Sequence, residues 1–357
     1  MSFLGKILNK IKKGIQNPDL ATEYLKTYLT KLFTKYFFKK FYPACKTAME
    51  GTVILSDGSV TTCCIDALGQ NKYGDIYTQT FADIWNNNFQ KFRKKNLYDS
   101  KLCFSCIGSK TCLSPGFISN SEERKNWESK NIPFPKILVL EISGICNYAC
   151  EGCFSNELNR YRSPFFNLDL AKSNLIALLQ KIERLRLYNW GEPLLNKNFC
   201  EILHWIKQIS PSLLIDIATN GIFLNEDNIK AIVDCDVSKV IVSVHGGPGT
   251  ENMLRYSKKN ANYEKVLNNV SNLIKYRDLN GKKHPIVSLK AILFYWNDSD
   301  EDMERLRQDG RKIKVDRVFW VLDRESGLTT TASKRFKRKS KELKMFVEKG
   351  EVDRFSE

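Results

Sequence analysis

The sequence predicts an α/β protein whose main body is a partial (β/α)6 TIM-like barrel. A small cysteine-rich α+β domain and N-terminal basic amphipathic helices are expected in front of it. Three observations carry this reading. From Lys136 onward, short apolar runs alternate with longer amphipathic ones. The short runs are apolar almost throughout, as in a parallel sheet covered by helices. Six such units fill residues 136–325, too few for a closed eight-unit barrel.

The strand candidates are "KILVLEIS", "RLRLYN", "LLIDIAT", "KVIVSVH", "PIVSLKAILF" and "VDRVFWVL". Helices such as "LDLAKSNLIALLQKIE" and "NYEKVLNNVSNLIKYR" fall between them. Ahead of the barrel, residues 1–41 form a basic helical segment broken at Asn17-Pro18. Phe3, Leu4, Ile7, Leu8, Ile11 and Ile15 share one face, with Lys6, Lys10, Lys12 and Lys13 elsewhere. That pattern suits a helix lying on a bilayer or one docked on the protein's own core. The second half adds Leu20, Tyr24, Leu25, Tyr28, Leu29, Leu32, Phe33, Tyr36 and Phe37, an aromatic surface that calls for packing.

Residues 42–115 change character. "GTVILSDGSVTTCC" reads as a β-hairpin turning on Asp57-Gly58, "FADIWNN" as a short helix and "CFSCIGSKTC" as a cysteine-rich loop. Residues 116–135 are polar with two late prolines and make a linker, and residues 326–357 form a basic tail.

With 42% apolar and 27% charged residues, the chain reads as a core-forming protein. No run approaches the eighteen apolar residues of a membrane span, and the N-terminus has no secretory h-region. A reducing, cytoplasmic setting is expected, where clustered cysteines mean metal or redox chemistry rather than disulfides. Of the net charge of +16, about +7 falls in residues 1–41 and about +6 in residues 331–345. A nucleic-acid groove spreads its charge over a folded face, so no specific nucleic-acid site is expected. The tails suit an anionic membrane surface at which the protein sits peripherally, RNA or an acidic partner, or are simply solvated ends.

The chemistry concentrates in "EISGICNYACEGCFSN", where Cys146, Cys150 and Cys153 follow the first strand. Loops at the carboxyl ends of barrel strands build active sites. A closed zinc site takes four ligands, usually as two pairs, and no fourth stands nearby. Three thiolates on an iron–sulfur cubane leave one iron open.

Cx3Cx2C at this place resembles the radical S-adenosylmethionine (radical SAM) enzymes, and three later stretches agree. "YNWGEPLLN" contains Gly191, Glu192 and Pro193 and is similar to the family's GGEP motif, with Trp190 in place of the first glycine. "IATNGIFL" carries Thr219 and Asn220, and "VSVHGG" carries Ser243, with His245 where the family has Asp. Gly152 replaces an aromatic residue common before the third cysteine. The resemblance implies S-adenosylmethionine and a catalytic 4Fe–4S cluster on Cys146, Cys150 and Cys153. It further implies cofactor contacts from Gly191, Glu192, Pro193, Thr219, Asn220 and Ser243, and an electron donor such as flavodoxin or ferredoxin. Lys290 on the fifth strand either faces a carboxylate or is a snorkelling structural lysine.

Cys45-x12-Gly58-x4-Cys63 followed by Cys103-x2-Cys106-x5-Cys112 resembles the SPASM/twitch auxiliary-cluster domain, as does "KYGDIYTQTFADIW" with Arg93 after it. That domain normally follows the barrel, whereas here it precedes it. The resemblance implies one auxiliary 4Fe–4S cluster on Cys45, Cys63, Cys103 and Cys106, with Cys64 and Cys112 as substitutes; a four-cysteine zinc knuckle is the alternative. Cys200 and Cys235 read as inert core residues. Three histidines supply little for acid–base catalysis, and "GGPGTENML" lacks the ending of a phosphate loop. The function so implied is hydrogen abstraction from a saccharide or other small-molecule precursor by a 5′-deoxyadenosyl radical. Maturation of a peptide or protein is the first alternative. A non-catalytic zinc or iron–sulfur protein that binds RNA through its tails is the second.

Overall fold

The computed structural model describes residues 51–64, 66–91, 134–151, 153, 155, 163–321, 333 and 335, and the backbone of 44–45, 117–118 and 322. The basic segment 1–41, the loop carrying Cys103, Cys106 and Cys112, most of the linker and nearly all of the C-terminal tail lie outside the described residues. The chain divides into two compact units, residues 1–46 with 91–131 and residues 47–90 with 132–357. In the first, β1 (Ala44–Cys45) pairs antiparallel with β5 (Phe117–Ile118).

The second unit is built on a nine-stranded sheet. All six predicted barrel strands are present: β6 (Ile137–Leu140), β7 (Arg184–Arg186), β8 (Leu214–Thr219), β9 (Lys239–Ser243), β10 (Ile286–Leu293) and β11 (Arg317–Leu322). They lie parallel in chain order. The predicted hairpin is there too, as β2 (Gly51–Ile54) and β3 (Ser59–Thr61), with Gly58 at φ +83° in its turn. It does not stand apart from the sheet. β2 pairs in parallel with β6, and β3 and β4 (Gly74–Asp75) extend the sheet beyond it. The division between the units therefore runs through the cysteine-rich segment, at Lys46 and Gln90.

One face of the parallel strands is apolar and fully buried: Leu138, Leu185, Ile215, Ile217, Val240, Val242, Val287 and Leu289 are all at 0% exposure. Helices cover it. They are α2 (Leu168–Leu179), α3 (Phe199–Ile209), α4 (Glu226–Asp234), α5 (Thr250–Ser257), α6 (Tyr263–Leu279) and α7 (Asp300–Lys312), following α1 (Phe81–Ile84). Side-chain caps start four of them, from Asn167, Asn225, Asn262 and Ser299. The predicted "FADIWNN" helix continues from α1 into a wider π turn, Trp85–Phe89. Its Phe81, Ile84, Trp85 and Phe89 are fully buried, with Trp85 stacked on Phe89 at 4.6 Å. Among the described residues no helix is long and apolar enough to cross a membrane.

Candidate active site

β6 leads through Glu141 into the loop that bears Cys146, Cys150 and Cys153, all half-buried. Residues after β9 fasten this loop: Ala149 N donates to Ser257 O (2.9 Å), Glu151 N to Tyr256 O (3.0 Å) and Asn260 Nδ2 to Asn147 O (2.7 Å). The Tyr148 amide points at Cys146 Sγ at 3.4 Å, and Cys153 Sγ lies 3.2 Å from Ser155 Oγ. Burial pushes the Cys146 thiol up to about 12, with the charge of Glu192 adding to it. Burial, then Cys153 and Cys146, push Cys150 upward as well. The thiols thus oppose one another's ionisation, and a cationic centre reverses that balance by taking the thiolate form outright. Among the described residues no three His, Cys, Asp or Glu side chains converge tightly enough to hold a single metal ion. The donor set, three soft thiols on one loop, fits an iron–sulfur cluster, which is wider than an ion.

The second part of the site is built on the ends of β7 and β8. Glu192 is 3% exposed, and its carboxylate accepts from Thr219 Oγ1 (2.7 Å), Asn220 N (2.7 Å) and Leu194 N (3.1 Å). Burial raises its pKa to about 7 in spite of these donors. Asn220 continues the chain of contacts, donating Nδ2 to Asn147 Oδ1 at 2.7 Å and lying 4.0 Å from Cys146 Sγ. Pro193 opens a single 3-10 turn, Pro193–Leu195. Gly191 is required by close approach: a Cβ there would lie 1.9 Å from Ser143 O and 2.8 Å from Ile145 O. The same approach lets Glu192 N donate to Ile145 O at 2.8 Å, so the Gly-Glu-Pro turn leans on the first residues of the cysteine loop.

Cys146, Glu192, Thr219 and Asn220 are therefore brought together, with Cys150 and Cys153 on the same loop. Ser243 ends β9 and stands opposite Lys290 of β10 in register. His245, where the resembled motif has Asp, packs edge-on against Tyr256 at 5.8 Å. Burial and the charge of Lys290 hold its imidazole neutral.

The roles of three residues of this region escape sequence reasoning. Asn147 bridges the cysteine loop to Asn220. Glu141, fully buried, accepts from Asn189 Nδ2 (2.7 Å), Trp190 N (3.3 Å) and Ser56 N (3.4 Å), tying three segments at one carboxylate. An acidic residue at the end of an apolar strand was the available signal. Trp190, the departure from GGEP, donates its indole N–H to Cys64 O at 2.7 Å. The larger side chain thus links the Gly-Glu-Pro turn to the loop of Cys63 and Cys64.

Of the expected auxiliary ligands, Cys63 is half-buried just past β3 and Cys45 lies in β1; Cys103 and Cys106 fall outside the described residues, as does Cys112. Cys64 is exposed. Asp66, 1% exposed, braces this loop by accepting from Thr61 Oγ1 (2.6 Å), Gln70 N (2.7 Å) and Asn71 N (2.8 Å). Cys235 is buried, and half-buried Cys200 lies 3.4 Å from Asn228 Oδ1, both away from the site.

Residues 140–309 match the family model of the radical SAM superfamily, and residues 45–107 match that of the SPASM iron–sulfur cluster-binding domain. The chain belongs to the radical SAM superfamily and carries a SPASM domain ahead of its barrel. It is 23% identical over 159 residues to the tungsten-containing aldehyde ferredoxin oxidoreductase cofactor-modifying protein of Pyrococcus furiosus, covering 44% of each chain. It is 26% identical to the S-adenosyl-L-methionine-dependent 2-deoxy-scyllo-inosamine dehydrogenase of Niallia circulans, over 31% of this chain and 45% of that one. The chain thus spans less than half the length of these curated relatives. Among solved structures it is similar to native anSMEcpe with bound AdoMet and Cp18Cys peptide, at 16% identity and a TM-score of 0.41, over 52% of this chain and 51% of that one.

Proposed function

We propose that the protein cleaves S-adenosylmethionine reductively and uses the product to take hydrogen from a small-molecule precursor such as a saccharide. The observation that supports this best is the continuous contact from the three-thiol loop through Asn147 and Asn220 to Glu192. Cys146, Cys150 and Cys153 would hold a 4Fe–4S cluster and leave one iron open. When bound, the cluster and S-adenosylmethionine supply one-electron carbon–sulfur cleavage and a 5′-deoxyadenosyl radical.

The chain's own part is orientation. Glu192 holds Thr219 and Asn220 in place, and the Gly191–Pro193 turn offers its backbone to the methionyl end. Ser243 stands one strand further on, toward the ribose and carboxylate. An auxiliary 4Fe–4S cluster is assigned to Cys45, Cys63, Cys103 and Cys106. The SPASM match, residues 45–107, encloses these four and leaves Cys112 outside. A low-potential donor, flavodoxin or ferredoxin, would deliver the electron in a reducing cytoplasm.

Anaerobic reconstitution followed by dithionite-driven assay for 5′-deoxyadenosine tests the reading. Product at the level of a Cys146→Ala/Cys150→Ala/Cys153→Ala control would reject the enzyme. Iron and sulfide at about four per chain rather than eight would reject the auxiliary cluster.

A further inference from the structure

The strands β10 and β11 start at the end of the sheet opposite the cysteine loop, and the turns that feed them frame a cationic groove. α6 ends at Leu279 and passes through Asn280 and Gly281 toward β10. α7 ends at Lys312 and passes through Lys314, at φ +62°, toward β11. The open groove between them has a volume of about 540 Å³. Ser271, Ile274, Lys275 and Asp278 line it from α6, at the spacing of one helix face. Lys312, Ile313 and Lys314 line it from the other side, and Leu279 closes one end.

Lys275, Lys312 and Lys314 are exposed, as are Lys282 and Lys283 on the turn into β10. Among the described residues, none of these five ammonium groups makes an ion pair or a hydrogen bond. The acids nearby are engaged elsewhere. Arg277 takes Asp278 at 2.9 Å and Asp316 at 2.6 Å, Tyr263 Oη donates to Asp309 at 2.8 Å, and Asp236 faces His284 at 3.3 Å. Helix C-termini favour lysine, which accounts for Lys275 and Lys312. It does not account for Lys282 and Lys283, which lie past the helix. Nor does it account for Leu279, which at 87% is the most exposed large apolar side chain among the described residues.

An apolar side chain standing in water among unpaired lysines complements a surface that is anionic outside and apolar beneath. A second copy of this chain would bring the same cations and be repelled. Protein interfaces favour aromatic residues and arginine and are poor in lysine, and single-stranded nucleic acid is held by stacking on aromatic rings. No aromatic side chain lines this groove. Lysines close to an anionic leaflet are drawn to it, and apolar area entering the headgroup region adds to the attraction.

We propose that this end of the barrel docks on an anionic lipid bilayer, with Lys275, Lys312 and Lys314 against headgroup phosphates and Leu279 entering the interface. The cysteine loop, at the opposite ends of the strands, then faces the aqueous side, and the substrate reaches it from solution. That consequence rests on the function proposed above; the lipid contact does not.

Flotation of the reconstituted full-length protein with vesicles tests the contact. Vesicles of equal parts phosphatidylcholine and phosphatidylglycerol should bind it, and vesicles of phosphatidylcholine alone should not. Lys275→Gln/Lys312→Gln/Lys314→Gln should weaken binding by at least about tenfold. Lys230→Gln/Lys259→Gln/Lys265→Gln, the same charge change at exposed positions elsewhere, should leave it nearly unchanged. Leu279→Asn should also weaken it, which a site for free phosphate would not show. The substituted side chains are exposed, so every variant should keep the wild-type melting temperature and 5′-deoxyadenosine formation in solution. No binding by wild type, equal loss in the two lysine triples, or wild-type binding by Leu279→Asn would each overturn the inference. A contact made by the basic segment 1–41 alone would leave the groove triple at wild-type binding, and retention on polyglutamate without vesicle binding would assign the groove to an acidic protein; either result overturns it too. Vesicle binding by a protein that yields no 5′-deoxyadenosine would keep the lipid contact and reject the radical chemistry.

Discussion

Gly191→Ala is the most direct probe of how the Gly-Glu-Pro turn is joined to the cysteine loop. A methyl group at this position would lie 1.9 Å from Ser143 O, 2.7 Å from Ser143 C and 2.8 Å from Ile145 O. Carbon and carbonyl oxygen ordinarily stand about 3.3 Å apart, so the two backbones must part by more than about 1 Å. These are main-chain atoms with no rotamer to absorb the overlap. Such overpacking costs about 1–3 kcal/mol. Separation also stretches the Glu192 N to Ile145 O bond, now 2.8 Å, worth about 0.5–1.5 kcal/mol. Together the loss is about 2–4 kcal/mol, or a fall in Tm of roughly 4–8 °C at about 2 °C per kcal/mol. A misplacement of about 1 Å between reacting groups costs on the order of 100-fold in rate. Thermal unfolding by circular dichroism and dithionite-driven 5′-deoxyadenosine formation measure the two effects separately. An alanine variant with wild-type Tm and wild-type product formation would refute the close approach.

Glu192 makes stability depend on pH. Burial holds its folded pKa near 7, above the ordinary 4.5, so the folded protein binds a proton that the unfolded chain has released between those values. Stability therefore falls as pH rises from about 4.5 to 7, by up to about 3 kcal/mol. Glu192→Gln should flatten that part of a urea-midpoint-versus-pH curve for the apoprotein; an unchanged slope would contradict it. Asp66→Ala strips a hydroxyl and two amides of their buried acceptor, at about 1–3 kcal/mol for each group left unsatisfied. Its expected signature is a lower urea midpoint together with reduced retention of auxiliary iron. Trp190→Phe keeps the aromatic bulk but removes the 2.7 Å bond to Cys64 O, a loss of about 0.5–1.5 kcal/mol. Amide exchange at residues 63–64 should quicken while the strands β7 to β10 keep their protection.

The parallel strands could be read in advance because their apolar pattern is local: β8 and β10 announce themselves as unbroken runs between amphipathic helices. The thiol trio was equally legible, since its spacing lies within eight residues. The hairpin shows the limit. Its two strands and its Asp57-Gly58 turn are local features and appear as read, but its pairing with β6 joins residues more than eighty positions apart. No periodicity within either segment specifies that edge-to-edge match. Trp190 is similar: in the sequence it is a departure from a motif, and only its distance to Cys64 supplies a reason.

Cys146, Cys150 and Cys153, the alternating units behind them and the order of the motifs were thus determined by the sequence alone, because spacing and hydrophobic period act over a few residues. Tertiary structure alone decided that Glu141 gathers three segments and that Glu192 spends its oxygens on Thr219, Asn220 and Leu194. Each of these depends on strand register. Register is set by burial of the opposite face across the whole sheet, a condition that no single stretch of the chain contains.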